Sequence, residues 1–236
     1  MKVRCCILSI LICLSIVTVN AQVRLGVEMG MNVSSLAIIS NSHNADVVGG
    51  LSVDYLFKNG LMLQSGLSYS SKGASGLWDQ YNYSSVLRQA DIHLGYLEVP
   101  LMVGYRIPIM KNVYLVPSVG AYFACGVAGY GEIDVIVSND NGNVRSSERW
   151  DNLYQDFKWD WIADTEIKAF DRFDSGLRFG LSGEISRFVV SFAYDLGLKK
   201  VWSGFDTPSY KTATHKMKNE LQYRTASISV GYKFSL

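Results

Sequence analysis

Charged residues and proline are scarce in this 236-residue sequence, which has 18% charged residues and 4 Pro. Low charge combined with 48% hydrophobic residues excludes an intrinsically disordered chain, which needs the opposite balance. The formal net charge is +1, so no overall basic field points to nucleic acid. Glycine, in contrast, is common at 21 residues and lacks the period of collagen. With 12% aromatic residues, this composition is typical of a β protein.

Cysteine is also scarce, and three of the 4 cysteines lie near the start of the chain. Residues 1–21 are typical of a secretory signal peptide, because basic residues precede an uncharged apolar run over 5–19 and Val19-Asn20-Ala21 resembles a cleavage site. The run is shorter than the ~20 residues of a transmembrane helix, which favours cleavage over an uncleaved anchor. Cleavage leaves 22–236 as one domain with Cys125 alone, which excludes an internal disulfide.

A strict alternation of apolar residues with polar or small ones dominates the rest of the chain. Over 23–33 every odd position is apolar, and every even position is Gly, charged or Asn. A helix would mix these two sets, whereas a strand places them on opposite faces. The same period predicts seven further strands. They lie at about 51–57, 61–70, 97–106, 113–127, 173–182, 188–196 and 227–236.

The links between these strands alternate between short and long. The short links are 58–60, 108–112 and 186–187, and Asn59-Gly60 is typical of a hairpin turn that needs positive φ. The long links cover about 34–46, 73–90, 130–171 and 199–219. This order predicts an antiparallel up-and-down meander with every long loop at the same end.

Eight antiparallel strands can close into a barrel, which leaves no free edge. The apolar face points inward in a soluble lipocalin-like barrel and outward in an outer-membrane barrel. Strands of about ten residues suit a tilted membrane strand of ~9–11, and the polar face is rich in the Gly and Ser that fit a narrow interior. Aromatic residues on the apolar parity near the short turns predict an aromatic girdle. They are Phe57, Tyr105, Phe188, Tyr232 and Phe234.

The sequence therefore predicts an all-β, eight-stranded antiparallel transmembrane barrel with short periplasmic turns and long extracellular loops. Charged residues on its polar parity are expected inside the barrel. They are Arg24, Glu28, Asp54, Glu98, Arg106, Arg178, Glu184, Asp195 and Lys233. The four bases and five acids predict an ion-pair network, whose burial is offset only if every member is hydrogen-bonded. An ion or proton path is the alternative, and the narrow lumen of eight strands favours a filled core.

Several of these strands resemble the PorT-like outer membrane β-barrel family, an eight-stranded group of Bacteroidetes-type bacteria. The resemblance is carried by 26–36, by 63–73 followed by Tyr96-Leu97-Glu98-Val99-Pro100-Leu101 and the rest of 96–105, and by 170–177 with 230–234. It implies a bacterial outer-membrane location, insertion by the barrel assembly machinery and, for most members, no enzyme activity. Its link to protein secretion is not carried over, because the matching motifs are structural.

A specific function is expected in the long loops, and the third is far longer than an ordinary connection. Ile133, Val135 and Val137 alternate ahead of the turn residues 139–142, which predicts an extracellular hairpin. Four aromatic residues then follow at the spacing of one helical stripe, which predicts a short helix on the barrel mouth or a ligand lid. They are Trp150, Tyr154, Phe157 and Trp161.

Charge is divided between two of the loops. Residues 130–174 hold eleven acids against five bases, whereas the last long loop is basic. Its lysines are Lys199, Lys200, Lys211, Lys216 and Lys218. We expect this basic loop to contact either lipopolysaccharide phosphates or the acidic loop.

Catalytic and metal signals are weak. His43, His93 and His215 are scattered, without metal-site spacing, and there is no nucleophile-elbow motif. The sequence thus predicts a non-enzymatic outer-membrane barrel without cofactor or metal, with a structural, binding or secretion-accessory role in its loops. Expected partners are membrane lipid, lipopolysaccharide and envelope or secretion proteins. The alternatives are a narrow solute channel, an enzyme using His93 with Asp91 or His215 at the mouth, and a soluble ligand-binding barrel.

Overall fold

The fold is given by a computed structural model that describes residues 22–36, 44–81, 85–139, 142–155, 157–158, 166–167, 170–200 and 222–235. The predicted signal peptide, residues 1–21, lies outside this range. The strands are β1 (Gln22–Leu36), β2 (Asn44–Leu56), β3 (Leu61–Tyr81), β4 (Ser85–Tyr105), β5 (Ile107–Met110), β6 (Val113–Asn139), β7 (Gly142–Trp150), β8 (Phe157–Lys158), β9 (Glu166–Ile167), β10 (Phe173–Ile185), β11 (Phe188–Gly197) and β12 (Tyr223–Ser235). None of the described segments forms a helix long and apolar enough to cross a membrane.

Eight of the strands close into one antiparallel barrel. Their order around the wall is β10-β11-β12-β1-β2-β3-β4-β6, and β10 also pairs with β6. The first and last strands pair along almost their whole length, from Arg24 opposite Ser235 to Leu36 opposite Tyr223. The predicted closed eight-stranded barrel is therefore confirmed.

The two faces of the wall have opposite chemistry. Apolar side chains point outward, and Met29, Val47 and Leu51 are 70%, 62% and 64% exposed. Arg24 and Glu98, on the polar parity, are 5% and 1% exposed inside the barrel. This orientation is the reverse of a soluble barrel and suits a wall surrounded by lipid, so the alternative of a lipocalin-like soluble barrel is wrong.

The short links gather at one end of the barrel, here named the turn end, where β1 also starts and β12 ends. In the first link the amide of Phe57 donates to the carbonyl of Leu61 at 2.9 Å, and that of Gly60 donates to Phe57 at 3.0 Å. Gly60 has a φ of +86°, a conformation that glycine adopts without a steric penalty. The opposite end is named the loop end.

β3, β4 and β6 are much longer than the alternation predicts, and β2 begins at Asn44 instead of about residue 51. β3 and β4 stay paired as far as Tyr81 and Val86, so residues 73–81 and 85–90, predicted as part of a loop, form the two paired strands of a β-hairpin instead. β6 runs to Asn139 and returns as β7, which confirms the predicted hairpin there. The alternation missed the first hairpin because a strand beyond the membrane no longer needs apolar residues on its outer face.

Aromatic rings cluster on the outer wall near the turn end. The Phe188 and Tyr232 rings lie 5.3 Å apart between centroids, and the Tyr232 and Phe234 rings 4.8 Å apart, both edge to face. Tyr105 and Phe188 are 49% and 67% exposed. The Phe188–Tyr232 pair joins β11 to β12 at the height of the short turns.

Candidate functional site: the barrel interior and its mouth

A first group of charges, named the lower cluster, fills the barrel near the turn end and consists of Arg24, Asp54, Arg106, Glu184 and Lys233. The guanidinium of Arg24 donates two hydrogen bonds of 2.9 Å to Glu184 and one of 3.0 Å to Asp54. Arg106 donates to Glu184 at 2.6 Å, and the ammonium of Lys233 lies 2.7 Å from Asp54. Asp54 thus pairs with two bases and Glu184 with three, which offsets the loss of hydration in the interior.

A second group, named the upper cluster, lies nearer the loop end and consists of Lys72, Glu98, Asp174, Arg178 and Asp195. Arg178 donates two hydrogen bonds of 2.6 Å to Asp195 and one of 2.7 Å to Glu98. The ammonium of Lys72 lies 2.6 Å from Glu98 and 3.6 Å from Asp174. The cluster joins β3, β4, β10 and β11 across the lumen.

Lys72 is also surrounded by tyrosine rings. Its ammonium lies 4.8 Å from the ring centroid of Tyr122, 5.4 Å from that of Tyr96 and 5.7 Å from that of Tyr223. At these distances each ring face attracts the cation. Lys72 itself is 0% exposed, so its charge is held by carboxylates and ring faces instead of bulk water.

The interior network contains two residues that the sequence reasoning did not place there. Lys72 was missed because β3 was expected to stop at about residue 70, and Asp174 because it was counted with the acidic loop. Both lie on the polar parity of their strands. Extending the predicted strand 61–70 by two residues reaches Lys72, and Asp174 already lies within the predicted strand 173–182. Asp174 also accepts a hydrogen bond of 3.0 Å from the Tyr122 hydroxyl.

Eight of the nine interior charges expected from the sequence lie in these two clusters. Glu28, the ninth, does not. It faces a chamber of about 160 Å³ between the clusters, bounded by Asp54 and Lys233 below and by Glu98 and Arg178 above.

The mouth at the loop end is closed by residues 151–155 and 170–172, named the mouth plug. Leu153, Tyr154 and Phe170 are buried. The amide of Leu153 donates to the carbonyl of Gly129 at 3.3 Å, and that of Phe170 donates to Leu153 at 2.8 Å. The Tyr154 ring packs where a β-carbon on Gly126 would stand, so glycine at that position makes room for it.

The predicted helical stripe is wrong over the described residues. Trp150 ends β7, Tyr154 lies in a turn, and Phe157 pairs with Ile167 in a two-residue strand. The Asn152 side chain accepts from the amide of Tyr154 at 3.1 Å, an Asx turn that competes with helix formation. Trp161 lies outside the described residues.

The basic loop is described only at its start. The ammonium of Lys199 lies 3.7 Å from the carboxylate of Asp171, which belongs to the acidic loop. Lys200 is exposed. The remaining three predicted contact lysines lie outside the described residues. They are Lys211, Lys216 and Lys218.

His93 was the one candidate catalytic histidine within the described range. Its Nδ1 lies 3.5 Å from Asp46, and its ring stacks on that of Tyr130 with the centroids 4.8 Å apart. Asp46 also accepts from the hydroxyl of Ser71 at 3.2 Å. His43 and His215 lie outside the described residues.

On the outer side of the mouth, one carboxylate organises the β6–β7 hairpin. Asp134 on β6 accepts hydrogen bonds from the guanidinium of Arg145 and the hydroxyl of Ser147, both on β7. These bonds hold the pKa of Asp134 below its ordinary value, because they stabilise the ionised carboxylate. The hairpin is thus joined by side chains as well as by its backbone ladder.

The comparison with protein families supports this architecture. A family model described as the outer membrane protein beta-barrel domain matches residues 18–203. No curated protein matches the chain. Among solved structures, Ail, the attachment invasion locus protein of Yersinia pestis, is 14% identical with a TM-score of 0.38, covering 91% of this chain and 99% of that one.

Two further solved structures cover most of both chains. Neisserial surface protein A is 11% identical with a TM-score of 0.40, covering 91% of this chain and 97% of that one. The N-terminal β-barrel domain of Pseudomonas aeruginosa OprF is 14% identical with a TM-score of 0.32, covering 89% and 97%. The family model spans most of this sequence, and the fold agrees with it. The chain belongs to the outer membrane protein beta-barrel domain family and resides in the bacterial outer membrane.

Proposed function

We propose that this protein is a non-conducting, non-enzymatic outer-membrane barrel that binds an envelope or secretion protein through a sheet projecting from its loop end. The observation that carries the proposal is the sheet itself. Beyond the barrel, β3, β4, β6 and β7 form four neighbouring antiparallel strands. From Ala74 to Tyr81, β3 adds about 23 Å of strand at 3.3 Å per residue.

The projecting sheet has two edges suited to a partner. The pairing of β3 with β2 ends at Ser70, and among the described strands β7 pairs with β6 alone. Such edges carry unpaired amides and carbonyls, which an extended segment of another protein can pair with. Because backbone groups supply these bonds, the mode needs no deep pocket.

The closed interior supports the non-conducting half of the proposal. The lower cluster, the upper cluster and the mouth plug each cross the lumen at a different height. A solute would have to displace buried, hydrogen-bonded charges, and breaking such pairs is costly. We therefore expect no steady conductance from the refolded barrel in a planar bilayer. An open, long-lived ohmic current would favour the narrow-channel alternative.

The binding half is tested by removing the sheet and keeping the barrel. Ala74 lies opposite Ile92, so an Asn-Gly turn can replace 75–91 and join these two residues. Gly131 lies opposite Trp150, so a second Asn-Gly turn can replace 132–149 in the same way. The shortened barrel should keep its heat-dependent gel mobility shift. It should lose affinity for envelope proteins that bind the full-length barrel in nanodiscs. Equal binding by both forms would reject the sheet as the docking surface.

Lipopolysaccharide is the second partner we propose, through the basic loop. Lys199 and Lys200 are exposed at the loop end, where lipid phosphates lie outside the apolar wall. Changing both lysines to glutamate should weaken lipopolysaccharide binding, and the loss should shrink at high salt. Unchanged lipopolysaccharide binding in this variant would show that Lys199 and Lys200 do not bind lipopolysaccharide.

Two finer assignments accompany the proposal. We place the chain in the PorT-like branch of its family, because the sequence of 96–105 resembles a strand of that branch. Glu98 of this strand belongs to the upper cluster. We also propose that Tyr105, Phe188, Tyr232 and their neighbours form the periplasmic aromatic girdle, supported by their position on the outer wall near the turn end. The barrel assembly machinery is the partner expected to insert the chain.

A further inference from the structure

The three short links at the turn end share one charge pattern. Each carries one basic residue and no acidic residue, and the bases are Lys58, Lys111 and Arg187. All three are exposed. The acids closest in sequence to the first and third links, Asp54 and Glu184, are buried and pair with bases inside the barrel. The exposed surface of the links is therefore positively charged.

Backbone hydrogen bonds fix the positions of two of these bases. The amide of Ser186 donates to the carbonyl of Asn112 at 2.8 Å, and the amide of Lys233 donates to the carbonyl of Arg187 at 2.8 Å. Asn112 and Ser186 have φ of 62° and 58°. Serine seldom adopts this conformation and keeps it only where its surroundings fix the backbone. Because Lys111 precedes Asn112 and Arg187 follows Ser186, the two bases start from neighbouring points of the turn end.

The side chain of Arg187 is held at the height of the outer aromatic rings. Its Nη1 donates to the hydroxyl of Tyr232 at 3.3 Å. The Tyr232 ring packs edge to face against that of Phe188 on the outer wall. A tyrosine at a membrane surface keeps its ring among the acyl chains and its hydroxyl among the headgroups. The hydrogen bond therefore places the guanidinium at the depth of the headgroup phosphates.

Exposed apolar side chains adjoin both bases. Ile109 and Met110 come directly before Lys111, and both are more than half exposed. Ile185 and Phe188, on either side of the third link, are also more than half exposed. Apolar side chains beside bases are typical of a surface in the membrane interface, where the apolar groups reach the acyl layer and the cations stay at the phosphates.

We propose that Lys111 and Arg187 bind the phosphate of an anionic phospholipid in the periplasmic leaflet, and that Lys58 adds to the positive surface. The short links of outer-membrane barrels face the periplasm. Arginine can donate two hydrogen bonds to a phosphate, and lysine attracts it as a point charge. The adjoining apolar side chains favour a lipid over free phosphate. The inference is independent of the proposed role of the projecting sheet.

The first test measures which lipid the whole barrel retains. The barrel is refolded in nanodiscs with equal amounts of phosphatidylglycerol and zwitterionic phosphatidylcholine, and the lipids that stay bound are counted by native mass spectrometry. The wild type should retain mainly phosphatidylglycerol. Since each base near a membrane surface strengthens anionic-lipid binding about fivefold, Lys111→Gln with Arg187→Gln should lower the ratio of bound phosphatidylglycerol to phosphatidylcholine about 25-fold.

The matched control removes two exposed bases from the loop end, by Arg149→Gln with Arg224→Gln. This variant loses the same charge and should keep the wild-type ratio. An equal loss in the control would show attraction by net charge alone and overturn the proposal. An unchanged ratio in Lys111→Gln with Arg187→Gln would also overturn it. The heat-dependent gel mobility shift establishes that both variants fold.

The second test separates the lipid from other anions of the periplasm. Inorganic phosphate, added at constant ionic strength, should leave the lipid ratio unchanged, and displacement of the lipid would assign the bases to free phosphate. Purified peptidoglycan should bind the wild type and the turn-end double variant equally. If that variant lost peptidoglycan binding and kept its lipid ratio, the bases would serve the cell wall and the lipid proposal would be wrong.

Discussion

Arg24 and Glu184 form a double hydrogen bond, 2.9 Å on each arm, between β1 and β10, which are not neighbours in the sheet. β11 and β12 separate them around the wall. The pair therefore crosses the lumen instead of following the sheet. Ladder bonds join only neighbouring strands, so cross-lumen pairs of this kind add direct links between distant strands, and the planar fork of arginine gives the link a defined geometry.

The first prediction concerns this link. Arg24→Met should lower the free energy of unfolding by about 3–5 kcal/mol, because Glu184 and Asp54 keep their charges and lose a shared base. The measurement is urea unfolding in micelles. Adding Glu184→Gln should recover part of the loss, since the neutral amide needs no counter-charge and its oxygen can still accept from Arg106. A change in Arg24→Met within about 0.5 kcal/mol, the range of neutral surface substitutions, would contradict the role.

How far the sequence predicted the site depends on what alternation can specify. The period of two fixed which face each residue occupies, and it placed Arg24 and Glu184 inside correctly. It did not specify that they meet, because partners across the lumen depend on the stagger of the closed barrel. Tyr154 illustrates a second limit, since its burial rests on the space above Gly126, far away in sequence. No local period encodes that contact.

The second prediction tests the mouth plug. In Gly126→Ala the new methyl group occupies the space of the Tyr154 ring. Overpacking of this kind costs about 1–3 kcal/mol, so the plug should open about 5- to 150-fold more often. Hydrogen exchange at the Leu153 and Phe170 amides reports the opening. Gly183→Ala is the matched control, because nothing lies within 4 Å of its new β-carbon.

Equal exchange of the Leu153 and Phe170 amides in both alanine variants would show that the plug does not depend on the space that Gly126 leaves for the Tyr154 ring. Faster exchange throughout the barrel in Gly126→Ala would indicate general destabilisation instead. The expected pattern is local, confined to the plug, with the β1–β12 seam unchanged.

The third prediction is a pH dependence of the β6–β7 hairpin. The pKa of Asp134 is lowered by bonds from Arg145 and Ser147, so their stabilising effect is complete above the ordinary aspartate pKa of about 3.9. It is lost as the pH falls below that value and through the lowered pKa. Amide exchange in 142–150, corrected for its intrinsic pH dependence, should therefore accelerate below about pH 4. Asp134→Asn should remove most of this acceleration at low pH. If the acceleration is unchanged in Asp134→Asn, another titrating group causes it.

The fourth prediction concerns Lys72, whose ammonium lies among Glu98, Asp174 and three tyrosine rings. Lys72→Met keeps the length of the side chain but removes the charge, leaving two buried carboxylates with fewer bases. Unfolding by urea should become easier by about 3–5 kcal/mol. Combining it with Glu98→Gln and Asp174→Asn should recover stability, because neutral amides need no counter-charge. If the triple variant were as unstable as Lys72→Met, packing of the lysine stem among the tyrosines, not its charge, would be its main contribution.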